Sequence, residues 1–258
     1  MGTIDAVSAP IEPADRFMRR ALWWLSLVVA PAVLITLELF HPANFTKDPG
    51  MYAYLSHPEQ YMPDHYALGY FGPDWWFVLH MIQTPMVGLV AIGLWQLLAP
   101  VGAADGPLAM TAAWLGRLSV FVFLVFYTVL DAIGGVGLGR SIVVLQGMVA
   151  DGTLKPEQAD GAIALLNGMW VDSKVGGVGS FISLTGSYAI LLATVLVALA
   201  LLPARRIHWL PALLLIAFGY ELQESHAAPH GPIAFALLIV AAGVMAWQWR
   251  GQPAKPAS

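Results

Sequence analysis

The chain has 258 residues, of which 58% are hydrophobic and only 11% are charged, and its formal net charge is −4. A soluble domain carries about 25% charged residues, so this composition indicates a membrane protein. The few basic residues form no extended patch, which argues against a nucleic-acid partner. Because the chain has no cysteine, disulfides, thiolate metal sites and c-type haem are excluded.

Six apolar segments are long enough to cross a lipid bilayer, for which about 20 residues are needed. In chain order they occupy roughly residues 17–40, 75–99, 112–133, 180–202, 208–226 and 232–250. The sequence therefore predicts an all-α fold, a single transmembrane domain of six helices embedded in the bilayer. Residues 1–14 and 251–258 are predicted to be flexible tails.

The basic residues predict the orientation of these spans. Arg16, Arg19 and Arg20 precede the first span, which favours a cytoplasmic N-terminus. Six spans then return the C-terminus to the cytoplasm, and this arrangement places eight of the twelve basic residues on that side. We expect a multi-pass protein of a bacterial inner membrane with both termini in the cytoplasm.

Two long segments are predicted on the outer side. The first, 41–74, contains five tyrosines and is followed by Trp75 and Trp76, and such rings favour the headgroup region. The second begins with Gly134-Gly-Val-Gly-Leu-Gly139, where we expect a kink or a close approach between helices, followed by a short interfacial or re-entrant piece at 141–150. Cap residues and a first-turn proline then predict a surface helix from about 155 to 170.

Ionisable side chains within or beside the spans gather on this outer side. Lipid offers such groups no partner, so we expect them to turn inward and to form one shared site. Four spans deliver them to a similar depth: Glu38 and His41 from span 1, His80 from span 2, Asp131 from span 3, and Glu221, Glu224, His226 and His230 from the end of span 5.

These residue types predict a transition-metal site, because histidine nitrogen combined with carboxylate oxygen suits zinc, iron or copper. The preferred ligands are His41, His80, His226 and His230, with Glu38 as a further ligand. The spacing Glu38-x-x-His41 is also that of half of a carboxylate-bridged di-metal motif.

Three carboxylates remain for catalysis at such a site. Asp131, Glu221 and Glu224 are candidates for a general base or for residues that orient the ligands. The function expected is that of a metal-dependent enzyme, hydrolytic or redox, acting on a lipidic or membrane-associated small molecule.

Several alternatives stay open at this point. The histidines are also compatible with a haem b or quinone site, and the glycine and proline interruptions with a carrier. The outer segments would equally suit a non-catalytic protein that binds partner membrane subunits. Single residues also have structural alternatives to a role in the site. His80 could donate a hydrogen bond to a backbone carbonyl, Asp131 could cap the glycine-rich turn, and Glu221 could form an ion pair with Arg140.

The order His80, Asp131, His226-x-x-x-His230 resembles that of membrane zinc hydrolases of the ceramidase and adiponectin-receptor type. Those proteins pair an HxxxH motif with an upstream histidine and an aspartate, so the resemblance implies zinc-dependent hydrolysis. The chain departs from them in having six predicted spans in place of seven and Pro229 inside its HxxxH.

Over most of its length the chain also resembles a group of bacterial six-span membrane proteins. The shared motifs are Leu-Glu-Leu-Phe-His41-Pro, Leu-His80-x-x-Gln83-x-Pro85, Asp131-Ala-Ile-Gly and His226-x-x-Pro-x-Gly-Pro232. This resemblance implies the six-span fold and supplies no function.

Overall fold

The computed structural model of the protein describes residues 13–42, 50–57, 60, 68, 69 and 71–250. Within these residues all regular structure is helical and no strand occurs, so the predicted all-α class is confirmed. The tails at 1–12 and 251–258, and Tyr61, Tyr66 and Tyr70 of the aromatic segment, lie outside the described residues.

Five of the helices are long and apolar enough to cross a membrane, as a membrane protein requires. They are α1 (Ala14–Glu38), α3 (Pro73–Leu98), α4 (Pro107–Ala150), α6 (Phe181–Leu201) and α8 (His230–Arg250). Three shorter α-helices are α2 (Met51–Ser56), α5 (Pro156–Trp170) and α7 (Trp209–Glu224), and a short 3₁₀ helix occupies Ala103–Asp105.

Helix α7 corresponds to the fifth predicted span but is the shortest of the six helices that correspond to predicted spans. Its 16 residues extend about 24 Å at a rise of 1.5 Å per residue, whereas the hydrocarbon core of a bilayer is about 30 Å thick. Helix α5 falls within the segment predicted to be helical at 155–170.

Local sequence signals explain where the helices begin. Pro73, Pro107 and Pro156 each occupy a first helical turn, where the missing N–H costs no hydrogen bond. Gly72 and Gly106 precede two of these prolines with φ of 91°, a conformation that favours glycine. Helix α6 is capped differently, by the Ser180 hydroxyl, which accepts a hydrogen bond from the Ser183 N–H at 3.2 Å.

Six helices form a closed ring in chain order. Each of α1, α3, α4, α6, α7 and α8 packs against the next, and α8 returns to α1. Alternating directions place the start of α1 and the end of α8 together, where the Trp23 and Trp249 rings are 6.0 Å apart. We call this the tail end of the ring. The opposite end, which carries α2 and α5, is the cap end.

The ring has an apolar interior and an apolar outer surface, as a lipid-facing bundle requires. Its core includes Leu34, Leu94, Phe123 and Phe218, all fully buried. Large apolar side chains are exposed on every long helix, including Val29, Trp95, Phe121, Leu192 and Val240.

Helix α4 differs from the prediction. In place of a span ending at 133 and a separate piece at 141–150, one helix of 44 residues runs through the glycine-rich segment. Residues Asp131–Gly137 adopt a π-helical turn, which continues the helix because no proline interrupts it. The prediction that 141–150 forms a piece separate from the third span is therefore wrong.

The expected close approach between helices is confirmed at the same glycines. A Cβ atom on Gly135 would collide with the His80 ring, and one on Gly139 would lie 2.9 Å from the Phe77 nitrogen. The absence of side chains at these positions allows α4 to pack directly against the first turns of α3.

The cap end has a small core of its own, formed where α2, the end of α4 and the start of α3 meet. Its buried residues are Met51, Tyr54, Leu55, Trp76, Leu138 and Ile142. Polar contacts fix α2 on this layer: the Asn167 side chain accepts from the Tyr52 N–H at 2.9 Å, and Gln146 donates to the Ser56 hydroxyl at 3.1 Å. Trp76 thereby joins the cap to the ring.

Candidate metal centre

Three of the four predicted histidine ligands converge at the cap end of the ring. His41 follows the last turn of α1, His80 lies in the second turn of α3, and His226 lies in the loop after α7. Each offers one ligand atom, and these three atoms all lie within 4.8 Å of one another. His41 and His80 are almost completely buried. The cluster can hold a metal ion.

Hydrogen bonds orient two of the three rings. His41 Nδ1 donates to the Pro42 carbonyl and His80 Nδ1 donates to the Trp76 carbonyl, both at 2.7 Å. A carbonyl only accepts, so in each ring Nδ1 carries the proton and Nε2 presents a lone pair. His80 therefore does form the hydrogen bond to a backbone carbonyl that is the structural alternative to a ligand role. The same hydrogen bond also orients a histidine for metal binding.

The spacing of the third imidazole fits a shared cation. His226 Nε2 lies 3.2 Å from His41 Nε2. Two nitrogens bound to one tetrahedral zinc ion at about 2.0–2.1 Å are themselves about 3.3 Å apart. The observed separation matches that spacing, and it is also the length of an N–H···N hydrogen bond between the two rings.

Burial keeps the imidazoles outside the spans in the form that binds metal. It lowers the pKa of His226 to about 4. Burial also lowers the pKa of His41, and the neighbouring His226 and His80 lower it further. Both rings are consequently neutral at pH 7, with their lone pairs available.

Trp76 supports the cluster, although the sequence analysis assigned its ring only to the membrane surface. Its carbonyl holds His80, and its indole N–H donates to the Gly134 carbonyl at 2.9 Å. Its ring lies 4.5 Å from the His80 ring and 4.9 Å from the His41 ring. The signal available in the sequence was its position four residues before His80, on the same helical face.

A second polar layer lies below the histidines. Glu38 is three residues before His41, and Gln83 is three residues after His80, so each lies about one helical turn deeper in the ring. Gln83 Nε2 donates to the Tyr127 hydroxyl at 2.6 Å. Within the described residues neither Glu38 carboxylate oxygen has a hydrogen-bond partner, although the side chain is fully buried. Such a carboxylate requires a proton or a cation.

Asp131 lies between this layer and the histidines. It is buried, and its Oδ2 accepts a hydrogen bond at 3.1 Å from the Thr84 hydroxyl, which shares its single proton with the His80 carbonyl at 2.8 Å. It continues the helix in place of capping a turn.

The remaining predicted residues lie elsewhere. His230 Nδ1 and Glu221 Oε2 form a pair at 2.8 Å, with 42% and 24% of the two side chains exposed. His230 is therefore not part of the cluster, and Glu221 pairs with it and not with Arg140. Glu224 is exposed and lines the mouth of a cavity beside the histidines.

That cavity has a volume of about 470 Å³, within the range of sites for small molecules. All three clustered histidines line its wall, together with Tyr127 and Asp131. It runs along α4, α6 and α7, where its lining is largely apolar and includes Phe123, Ile190 and Leu222. Its geometry joins a potential metal centre to an apolar compartment.

The fold and the site define a helical protein with five potential membrane spans and a three-histidine cluster that can hold a metal ion. The chain matches no protein-family model, no curated protein and no solved structure. The arguments about function therefore rest on the residues of the site.

Proposed function

We propose that His41, His80 and His226 bind a zinc ion and that the protein is a metal-dependent membrane enzyme that hydrolyses a lipidic ester or amide. The observation that carries this proposal is the convergence of three ligand nitrogens on the wall of the apolar cavity. Catalytic zinc sites keep three protein ligands and leave one position open. Here that position would face the cavity.

The chain supplies the groups that hydrolysis requires. A zinc ion held by three neutral imidazoles lowers the pKa of bound water to about 7. Asp131 lines the cavity and is oriented by Thr84, so it is placed to accept the proton of the attacking water. The same carboxyl then returns that proton to the oxygen or nitrogen that leaves.

The shape of the cavity supports a lipidic substrate. Phe123, Ile190 and Leu222 form its apolar wall, while Glu224 and Ser183 add polar groups to its lining. An amphiphile would bury its chain against the apolar wall and present its ester or amide to the histidines.

The cluster supports a metal ion more than a haem. Two axial nitrogens of a haem iron lie on opposite faces of the ring, about 4 Å apart at twice a typical metal–nitrogen bond, with the macrocycle between them. His41 and His226 are closer than this, and His80 joins the same group.

Redox chemistry at a copper or iron ion is the second candidate. It is favoured by Tyr127, whose ring lies 5.7 Å from the His226 ring and whose hydroxyl is held by Gln83. The identity of the bound metal separates this candidate from hydrolysis.

We also propose that all six helices of the ring cross a bacterial inner membrane. Helix α7 is flanked by α6 and α8, and apolar side chains cover its outer face. Arg20, Arg206 and Arg250 lie at the tail end, which favours a cytoplasmic location for that end and for both termini. The cap helices α2 and α5 would then lie on the outer membrane surface.

Elemental analysis of the detergent-purified protein, with an absorption spectrum, tests the metal centre. We expect about one zinc ion per chain and no Soret band, with the zinc lost from His80→Ala and His226→Ala. The control is His208→Ala, which removes an exposed histidine at the tail end. Equal metal content in all four proteins would contradict the site, and a Soret band would identify a haem.

The reaction is tested with fatty acyl esters of increasing chain length. We expect turnover to rise with chain length until the cavity is filled, and to disappear in Asp131→Asn while zinc is retained. A zinc-loaded protein without activity on any acyl ester or amide would contradict hydrolysis and leave the carrier or subunit alternatives.

A further inference from the structure

A second cavity lies at the tail end, far from the histidines, where α1 begins and α8 ends. Its volume is about 320 Å³. The residues that line it are Arg20, Trp23, Trp24, Ala246, Trp249 and Arg250. Two guanidinium groups and three indole rings thus line one space, and Ala246 is the remaining lining residue.

The two arginines bring positive charge that no described neighbouring residue neutralises. Within the described part of the chain, neither Arg20 nor Arg250 forms an ion pair. The acidic residue of the first turn of α1, Asp15, is bound to Arg19 at 2.9 Å. At the same end, Asp105 is bound to Arg206 at 3.2 Å. An anion in the cavity would therefore meet two available guanidinium groups.

A tryptophan contributes a hydrogen-bond donor that lacks an acceptor. Trp23 Nε1 is buried and has no partner among the described residues. Its neighbour Trp249 is satisfied, because its N–H donates to the Arg206 carbonyl at 2.9 Å. The Trp23 ring is held edge-on by Trp24 at 5.0 Å and by Trp249 at 6.0 Å. A buried donor without an acceptor requires an explanation. Because Trp23 Nε1 has almost no accessible surface, a ligand in the cavity would reach it only after the ring turns.

The position of the cavity indicates the source of that acceptor. It lies at the first turns of one potential span and the last turn of another. Tryptophan rings and arginines at such a level meet lipid headgroups. A guanidinium group binds phosphate oxygens through paired N–H donors.

We propose that this cavity binds the phosphate of an anionic phospholipid. Arg20 and Arg250 donate to the phosphate oxygens, the Trp23 indole N–H supplies a third donor, and Trp24 and Trp249 contact the glycerol backbone. The lipid bridges α1 and α8, the two helices that close the ring, and so stabilises the fold. This site is independent of the metal centre and of the proposed hydrolysis.

The test compares lipids on the purified full-length protein by native mass spectrometry and thermal unfolding. The ligands are phosphatidylglycerol, phosphatidylcholine with the same acyl chains, and inorganic phosphate. We expect phosphatidylglycerol to be retained and to raise the unfolding temperature, and both other ligands to have much smaller effects. Equal binding of the two lipids would overturn the proposal. Full protection by inorganic phosphate alone would replace the lipid by free phosphate.

Three variants assign the contacts. Arg20→Gln and Arg250→Gln each remove a charged donor, and we expect about tenfold weaker phosphatidylglycerol binding. Trp23→Phe keeps an aromatic ring and removes the N–H, and we expect about a threefold loss.

The matched control is Arg140→Gln, which removes an exposed arginine at the cap end. We expect wild-type binding by this variant. A loss as large as that of Arg20→Gln would show that only the overall charge matters, and would overturn the site. The arginine variants replace exposed side chains, so gel filtration and unfolding without lipid should match the wild type.

Discussion

Gly135 offers the sharpest test of how the fold prepares the histidine cluster. The substitution Gly135→Ala adds one methyl group on α4, and that methyl would overlap the His80 ring and its Cβ atom. His80 cannot keep its position in the variant. The change leaves all three proposed ligands in the chain, so any effect on metal binding must come from the contact between the new methyl group and His80.

The size of the effect follows from opposing contributions. Alanine improves helix propensity by about 1 kcal/mol. Overpacking costs about 1–3 kcal/mol, and loss of the hydrogen bond from His80 to the Trp76 carbonyl costs a further 0.5–1.5 kcal/mol, roughly. The net result is a destabilisation of about 0.5–3.5 kcal/mol. Displacement of an oriented ligand should weaken zinc binding about 10–100-fold.

The assay is competition for zinc between the protein and a chromophoric chelator, combined with thermal unfolding of the metal-free protein. Gly147→Ala is the matched control, because it lies on the same helix and a Cβ atom there meets nothing within 4 Å. We expect Gly147→Ala to bind zinc as the wild type does and to be slightly more stable. Zinc binding by Gly135→Ala at wild-type affinity would refute the reasoning.

The other predictions concern residues of the site and its neighbours. His226→Ala should abolish stoichiometric zinc binding. His230→Ala and Glu221→Gln should bind zinc as the wild type does, because that pair lies outside the cluster. The metal content of the purified variants checks both expectations. Thr84→Val should lower acyl-ester turnover about tenfold without changing the zinc content, because it removes the 3.1 Å hydrogen bond that orients Asp131. Steady-state kinetics on the zinc-loaded protein measures the turnover. Unchanged turnover would argue against Asp131 as an oriented general base. The metal-free protein should lose stability as the pH falls below about 6.5, because the unfolded chain then takes up a proton. The folded His226 resists that proton until about pH 4. Unfolding temperatures across this range should fall and then level off, with a weaker slope in His226→Asn.

The helices were largely predictable because hydropathy and local signals agree. Five of the six predicted apolar segments form helices long enough to cross a membrane. Prolines at 73, 107 and 156 start helices close to the predicted positions. These features depend on residues close in sequence, which is why a single chain reveals them.

The glycine-rich segment was harder because its conformation depends on a distant helix. Glycines usually mark a break in a pattern, so the sequence predicts a span that ends at 133, followed at Gly134–Gly139 by a kink or a close approach between helices. The helix continues because Gly135 and Gly139 face α3, and close packing there compensates for their low propensity. No local signal distinguishes a glycine that ends a helix from one that admits a neighbour.

The convergence of His41, His80 and His226 followed from a physical constraint, since ionisable groups within a bilayer must turn inward. The same constraint does not predict that His230 lies apart from His226. That separation depends on how the short loop between α7 and α8 directs each ring. The pairing of His230 with Glu221 likewise needs two helices in place.

The order in which the three ligands occur along the chain bears on how the protein is made. His41 and His80 enter early in synthesis, but His226 follows α7 and is held in place by the start of α8. An elongating chain therefore carries only two of the three nitrogens until its last helical hairpin has been inserted. Tight metal binding would therefore begin only at the end of biogenesis, when the ring closes. A chain arrested after α6 should contain no bound metal when it is purified from the membrane.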